Sequence, residues 1–220
     1  IEDLFTDRGD ASGTGYFDSV SNKYREDIFQ LAISSKQEIT FPRIVEPRTF
    51  AMKTKSGIPI AAGTGDNAAA AIGVDAQPGD VVVSLGTSGT AFAVSKTPTH
   101  DASGEVAGFA DGTGYFLPLV CTLNAARILD AATRILGVSH DELGELALKA
   151  EAGAGGLTLL PYFEGERTPN RPDATGVFSG MNLNNSNPEN FARAMIEGML
   201  CGMADAVASL EKLGVEVRRI

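Results

Sequence analysis

The sequence has no tryptophan, only two cysteines and two histidines, and no apolar run that approaches the roughly 18 residues of a membrane-spanning helix. Cys121 and Cys201 lie far apart and form no Cys-x-x-Cys pair, so they provide neither a zinc cluster nor a disulfide framework. Reduced thiols are typical of cytoplasmic proteins, and the N-terminus lacks the residue order of a signal peptide. We therefore predict a cytoplasmic protein without a membrane segment, and we assign no metal-binding residue.

Positive charge is also scarce. The 18 Lys and Arg residues stand against 28 Asp and Glu residues, which gives a formal net charge of -10. Such a charge opposes binding to nucleic acids and to anionic membranes. The hydrophobic fraction of 43% over 220 residues is ordinary for a globular protein, which excludes disordered and fibrous classes. Neither a nucleic acid nor a membrane surface is an expected partner.

Glycine-rich turns separate apolar strands from helical patterns along most of the chain, which is typical of an α/β fold. Pro188 suits the first position of a helix that Asn187 can cap, and Gly214 follows the end of its apolar periodicity. Ser139 and Glu142 form a capping-box pattern that opens another helix. These patterns predict strands over residues 58–62, 81–85, 90–94, 115–120 and 157–161, and helices over about 24–32, 66–72 and 123–136. They also predict a helix that begins at Pro188, with apolar periodicity over 191–210, and a strand that begins near residue 215.

The segment GTGDNA, residues 63–68, lies between a predicted strand and a predicted helix. Its glycine spacing loosely matches that of dinucleotide-binding proteins, but no second parallel strand with an acidic end follows about 20 residues later. Two other interpretations stay open. Asp66 is either a general base beside a glycine turn that admits a substrate, or a plain N-cap of the helix.

The segment SLGTSGT, residues 84–90, forms the tip of a predicted hairpin. Its successive backbone N–H groups and two hydroxyls are able to cradle phosphate oxygens without a lysine. It lacks the P-loop pattern, and it misses the nucleophile elbow Gly-x-Ser-x-Gly by one position. A hydrolase that uses Ser88 and an ordinary polar hairpin remain as alternatives. Two glycine-rich turns, one with a carboxylate and one with donors, indicate a phosphoryl-transfer site.

The segment LPYFEGERTPN, residues 160–170, combines charges, aromatic rings and prolines more densely than a simple connection requires. The alternative is a solvated loop in which Glu166 pairs locally with Arg167. His100 and His140 are expected at the surface, because neither lies in a setting that suggests a catalytic triad.

Five segments in order resemble the FGGY family of carbohydrate kinases. They are DRGDASGTGYFD (residues 7–18), GTGDNAA (63–69), SLGTSGT (84–90), LPYFEGERTP (160–169), and GVFSGM (176–181) followed by NFARAMIE (190–197). Five ordered matches are far more specific than any one of them. The second and fourth segments are most similar to the branch of the family that phosphorylates xylulose.

This resemblance implies an actin-like, ribonuclease H-like ATPase fold of two α/β domains with a cleft between them, here only partly represented. Residues 1–77 would be the end of the N-terminal, sugar-binding domain. Residues 78–220 would be most of the C-terminal, nucleotide-binding domain. Many members of the family are dimers, so the resemblance also allows a homodimer.

The resemblance further implies that Asp66 accepts the proton of the sugar's primary hydroxyl, while Asn67 helps to orient the sugar. The loop that holds the β and γ phosphates of ATP would consist of Gly86, Thr87, Ser88 and Gly89. The implied reaction transfers the γ-phosphoryl group of ATP, used with Mg2+, to D-xylulose. The alternatives are another sugar or polyol, such as ribulose, gluconate or glycerol, or a non-catalytic member that only binds sugar or nucleotide.

The sequence departs from the family pattern in length. The early Asp-Gly-Thr motif, which helps to position magnesium, has no counterpart before Ile1, and the late Gly-Gly-Gly-Ala motif for adenosine would follow Ile220. The connection over residues 42–57 is also shorter than usual. We expect this chain to be part of a longer kinase polypeptide, and we expect the 220 residues alone neither to fold well nor to turn over substrate.

Overall fold

The computed structural model describes residues 3–33 and 39–220, so Ile1 lies outside the described residues. Short strands alternate with helices along these ranges. The helices are α1 (Arg8–Ser12), α2 (Glu26–Ile33), α3 (Asp66–Gly73), α4 (Ala126–Leu136), α5 (His140–Lys149) and α6 (Pro188–Lys212). The strands are β1 (Phe5–Asp7), β2 (Phe17–Asp18), β3 (Lys23–Tyr24), β4 (Arg43–Val45), β5 (Phe50–Lys53), β6 (Pro59–Ala61), β7 (Val81–Leu85), β8 (Gly89–Ala93), β9 (Val106–Ala110), β10 (Phe116–Thr122), β11 (Thr158–Leu160) and β12 (Val177–Ser179).

The largest sheet has four strands in the order β7-β8-β10-β9. Only residues 86–88 connect β7 to β8, so these two strands form the predicted hairpin. The central strands are apolar on both faces: Phe92 is buried in β8, as are Leu117 and Val120 in β10. Such continuous burial explains why these segments read as apolar runs rather than as alternating patterns.

The chain divides into two compact units. The first consists of residues 1–82, 92–119 and 213–220, and the second of residues 83–91 and 120–212. The unit boundaries fall within β7, β8 and β10. The domain boundary predicted between residues 77 and 78 concerns a different division of the chain and stays a prediction.

In the first unit, β1 pairs in parallel with β4. The buried side chain of Arg8 follows β1 and donates hydrogen bonds to the carbonyls of Ser19 (3.0 Å) and Tyr115 (2.7 Å). Its guanidinium also lies 3.8 Å from the buried carboxylate of Asp111. A charge buried with a partner and with satisfied donors fixes the geometry around it, so Arg8 of the first motif has a structural task.

The second unit is built around α4, α5 and α6, which pack against β11. Its core consists of Ile128, Ala131, Ala132, Leu143, Ala147, Leu159, Ala192, Met195 and Met199. Gly198 permits the close approach of α6 to β11, because a Cβ there would lie 2.7 Å from the Leu159 carbonyl oxygen. The capping box is confirmed: Glu142 N donates to Ser139 Oγ, and Ser139 N donates to the Glu142 carboxylate at 2.8 Å.

Several boundaries differ from the predicted ones. The helix expected from residue 123 begins at Ala126, and strands β1 to β5, β9 and β12 were not predicted. The strand expected after Gly214 is reduced to one parallel bridge between Asp80 and Arg219, with Val81 N donating to Arg219 O at 2.8 Å. Over the described ranges, no helix is long and apolar enough to cross a membrane.

Candidate active site

Asp66 is the first residue of α3, and Gly65 is the N-cap. Gly65 has extended backbone angles and no side chain, so no side-chain hydrogen bond caps this helix. The interpretation of Asp66 as a plain N-cap is therefore wrong. A capping carboxylate would accept a hydrogen bond from the second or third helical N–H, whereas Asp66 accepts from its immediate neighbour.

The Asp66 carboxylate uses only one of its two oxygens within the described chain. Its Oδ1 accepts hydrogen bonds from Asn67 N at 2.7 Å and from Asn67 Nδ2 at 3.2 Å. Among the described residues, none donates to Asp66 Oδ2. Asn67 thus fixes the orientation of the carboxylate, and the second oxygen remains available to accept a proton from a bound molecule.

Asp66 and Asn67 both line a cavity of about 140 Å3 in the first unit. Its other lining residues are Gly9, Asp10, Gly13, Gly65, Ala68, Phe109, Ala110 and Leu117. Most of them are small, which leaves room beside the carboxylate for a molecule of modest size. Asp10 adds a second carboxylate that the sequence analysis did not assign. The signal was present, since Asp10 lies in the first motif, but its proximity to Asp66 depends on the fold.

The predicted phosphate loop, residues 86–89, connects β7 to β8 in the second unit. Gly86 N donates to Ser88 O at 3.2 Å, which closes a tight turn. The residues at its tip, Thr87 and Ser88, are exposed. Across the described ranges, the backbone N–H groups and hydroxyls of these two residues have no protein partner. Clustered free donors of this kind suit phosphate oxygens.

The glycine at the end of this loop is required by packing. Gly89 is buried, and a Cβ there would lie 2.4 Å from Met203 Sδ of α6 and 2.6 Å from Thr122 Oγ1. Thr122 Oγ1 also donates to Gly89 O at 3.4 Å. Gly86 faces no such obstruction, because its nearest contact would be Ser88 O at 3.4 Å. The loop is therefore pinned at Gly89 while its tip stays accessible.

The segment LPYFEGERTPN is not a solvated loop with a local ion pair. The Glu166 side chain is buried and accepts hydrogen bonds from Leu123 N (2.6 Å), Asn124 Nδ2 (2.9 Å) and Arg167 N (2.7 Å). The exposed Arg167 gives Glu166 only its backbone N–H within the described chain. The hypothesis of a Glu166–Arg167 side-chain pair is therefore wrong. Burial raises the pKa of the neighbouring Tyr162, and the carboxylates of Asp205 and Glu166 add to this rise.

The remaining candidate groups contribute neither to the cavity beside Asp66 nor to the 86–89 loop. His100 and His140 are exposed as predicted, and His140 Nε2 lies 2.9 Å from the Asp130 carboxylate. Cys121 and Cys201 are both free thiols. In the part of the chain that the structure describes, no group of three or more His, Cys, Asp and Glu side chains is placed to hold a metal ion.

Comparisons with known proteins identify the family of the chain. A family model described as the FGGY family of carbohydrate kinases, C-terminal domain, matches residues 81–220. The chain belongs to the FGGY family of carbohydrate kinases. It is 45% identical over 184 residues to the xylulose kinase of Streptomyces coelicolor, which covers 80% of this chain and 36% of that protein. It is 31% identical over 227 residues to the xylulose kinase of Haemophilus influenzae, which covers 98% of this chain and 46% of that protein.

A solved structure extends the likeness to the fold. The crystal structure of xylulose kinase from Bifidobacterium adolescentis matches with a TM-score of 0.92 and 47% identity, covering 100% of this chain and 47% of that one. The predicted resemblance to the FGGY family and its xylulose kinase branch is confirmed, and so is the actin-like ATPase fold, of which this chain represents a part. The chain spans about half the length of that structure and less than half of the two curated relatives.

Proposed function

We propose that this chain carries catalytic residues of an ATP-dependent carbohydrate kinase, which transfers the γ-phosphoryl group of ATP to the primary hydroxyl of D-xylulose and yields D-xylulose 5-phosphate. The observation that carries the proposal is the half-satisfied Asp66 carboxylate in a cavity of about 140 Å3. Relatives named xylulose kinase, at 45% and 47% identity, support the choice of sugar.

In this proposal Asp66 is the general base. Its Oδ2 accepts the proton of the attacking hydroxyl, while Asn67 N and Nδ2 hold Oδ1 and set the direction of the carboxylate. Phosphoryl transfer passes through a loose transition state, so the proton moves late and orientation of the hydroxyl matters more than formation of an alkoxide. Asp10 offers a further acceptor for sugar hydroxyls in the same cavity.

The 86–89 loop binds the phosphates. The free N–H groups and hydroxyls of Thr87 and Ser88 donate to the β and γ phosphates, where negative charge is concentrated during transfer. Free donors without a lysine fit a polyphosphate that arrives with its own cation. Magnesium bound to ATP would neutralise charge on the same phosphates, and we assign no residue of this chain to hold it.

The proposal extends to the organisation of the polypeptide. Residues 1–77 belong to a sugar-binding domain and residues 78–220 to a nucleotide-binding domain. The family match over residues 81–220 supports the second of these ranges. We also propose that the enzyme is cytoplasmic, which the free thiols of Cys121 and Cys201 support. By analogy with many members of the family, we propose that it is a homodimer.

The test uses the polypeptide encoded by the intact gene, with Mg-ATP and a panel of D-xylulose, ribulose, gluconate and glycerol. We expect ADP to form with xylulose, and we expect one phosphorylated product whose phosphate is shown by 31P NMR to lie on the primary carbon. ADP formation with another member of the panel would move the specificity and keep the mechanism. No ADP with any of them would support a non-catalytic, binding member of the family.

A further inference from the structure

Glu166 is a buried carboxyl group that accepts hydrogen bonds from residues just before the start of α4. Its side chain is 3% exposed, and its three hydrogen-bond donors are two backbone N–H groups and the amide of Asn124. Among the described residues, no Lys, Arg or His side chain lies within ion-pair distance of it. A carboxyl group is costly to bury unless hydrogen bonds replace its water, so this arrangement demands an explanation.

Two of the three donors to Glu166, Leu123 N and Asn124 Nδ2, lie between β10 and α4. We call residues 121–126, from the end of β10 to the first residue of α4, the 121–126 connection. Glu166 Oε1 accepts a hydrogen bond from Leu123 N. Asn124 Nδ2 donates to Glu166 Oε2 at 2.9 Å and to Gly165 O at 2.7 Å. Thr168 Oγ1 donates to Cys121 O at 3.1 Å. The segment that contains the Glu-Arg-Thr-Pro residues therefore holds the 121–126 connection at Cys121, Leu123 and Asn124.

The 121–126 connection also forms hydrogen bonds to the 86–89 loop. Ala126 N donates to Gly86 O at 2.9 Å, and Thr122 Oγ1 donates to Gly89 O at 3.4 Å. Gly89 has no room for a Cβ against Thr122. Both ends of the 86–89 loop thus rest on the same connection that Glu166 anchors, and all of these residues lie in the second unit.

From this arrangement we infer that Glu166 is a positioning residue for the phosphate loop, acting through the 121–126 connection. The inference deepens the proposed function and rests on it for the meaning of the loop, whereas the mechanical link itself rests on the contacts above. Removal of the carboxyl group leaves Leu123 N and Arg167 N without an acceptor, and it leaves Asn124 Nδ2 with Gly165 O alone. The connection then loosens, and the loop that it supports loses its fixed arrangement of donors.

The test compares Glu166→Ala with Glu166→Gln and with Glu164→Ala. Glutamine keeps one oxygen for the two backbone N–H groups, so Glu166→Gln is the conservative variant. Glu164 lies two positions away, is exposed, and pairs with Arg127 at the surface, where an ion pair contributes little. Glu164→Ala is therefore the matched control.

Hydrogen exchange of the ligand-free intact polypeptide gives the direct readout. We expect amides of residues 84–86 and 89–91, which flank the free N–H groups of Thr87 and Ser88, to exchange about tenfold faster in Glu166→Ala, with Glu166→Gln between it and the wild type and Glu164→Ala unchanged. Changes confined to residues 122–128 and 163–168 would show a purely local role and overturn the inference. If Glu166→Ala does not fold, Glu166→Gln against Glu164→Ala decides the same question.

Kinetics of the same variants supply the functional readout. We expect the KM for ATP to rise about tenfold in Glu166→Ala while the KM for the sugar stays within about twofold, a split that a general loss of folded protein does not produce. Equal effects on both KM values would contradict the positioning role. The exchange measurement needs neither nucleotide nor sugar, so it decides the inference even if no kinase activity is found.

Discussion

At the scale of single residues, the Asp66 carboxylate combines an anchored oxygen with a free one. Asn67 supplies both anchoring hydrogen bonds from the adjacent position, so the orientation of the carboxylate is set within two residues of sequence. The segment GTGDNA made Asp66 a candidate but left a general base and a plain N-cap open. Asp66 does not cap α3, because the N-cap position is occupied by Gly65.

Asp10 tests the assignment of the cavity to a sugar. Asp10→Asn keeps the size of the side chain and one acceptor oxygen but removes the charge, and hydrogen bonds to charged groups are stronger than neutral ones. We expect the KM for the sugar to rise about tenfold and kcat to fall by less than about threefold. Steady-state kinetics check this, with the exposed Asp173→Asn as a control that changes neither value. A hundredfold fall in kcat at constant KM would instead make Asp10 part of the chemistry.

The roles of Asp10 and Glu166 could not be predicted from the sequence in the way that Asp66 could. Asp10 reaches the cavity through the packing of α1, and the distant partners of Glu166 lie between β10 and α4, some 40 residues earlier in the chain. The motif LPYFEGERTPN did signal an unusual loop. Local sequence left a Glu166–Arg167 pair open because it contains no information on the distant N–H groups that Glu166 accepts instead.

At the scale of elements, the phosphate hairpin depends on the packing of α6 at Gly89. Gly89→Ala places a methyl group 2.4 Å from Met203 Sδ and 2.6 Å from Thr122 Oγ1, so the helix or the strand must shift. We expect this overpacking to lower the free energy of unfolding by about 1–3 kcal/mol. Denaturant unfolding of the intact polypeptide measures it.

The matched control for Gly89→Ala is Gly202→Ala. Gly202 lies on α6 beside Met203, and a Cβ there would meet nothing within 4 Å. Alanine favours a helix over glycine by about 1 kcal/mol, so this variant should be as stable as the wild type or more so. Equal destabilisation by both variants would show that α6 does not restrict Gly89 in the way described.

The capping box of α5 predicts a pH dependence. Hydrogen bonds from Ser139 N and Ser139 Oγ lower the pKa of Glu142 below its ordinary value of 4.5. A carboxylate with a lowered pKa in the folded state adds stability above the unfolded pKa and loses it as the pH falls through the folded value. We therefore expect the difference in Tm between wild type and Glu142→Gln to be present at pH 6 and to disappear toward pH 3.

The control for this measurement is Glu145→Gln, which changes a carboxylate farther along the same helix. Glu145 lies beyond the first turn, where the positive end of the helix dipole is concentrated. Its Tm difference should not follow the same pH dependence. A Glu142→Gln difference that persists unchanged at pH 3 would contradict the role of the ionised capping box.

Elements with a complete local signal were the most predictable. The capping box, the Pro188 start of α6 and the β7–β8 hairpin all follow from short-range rules, and all are confirmed. The short strand β9 contains Gly108 and has no clear alternation, and β12 has only three residues, so neither could be recognised. The start of α4 shifts to Ala126 because Leu123 and Asn124 are engaged by Glu166.

At the scale of the whole molecule, five ordered motifs predicted the family, and the family match over residues 81–220 confirms it. Order carries this information because no single motif is specific, whereas their succession along one chain is rarely met by chance. The division into a sugar-binding part up to residue 77 and a nucleotide-binding part from residue 78 remains a prediction. Limited proteolysis of the intact polypeptide with and without substrates should cut near residues 74–79 if that boundary is a hinge.

The central claim is that this chain supplies the base for phosphoryl transfer from ATP to a sugar. The most direct test follows transfer of the γ-phosphate of labelled ATP to D-xylulose by the intact polypeptide, for wild type and Asp66→Asn side by side. We predict labelled sugar phosphate from the wild type and a fall in kcat of about 10²–10⁴-fold for Asp66→Asn, with the KM for ATP little changed. Transfer that proceeds equally in both would contradict the account.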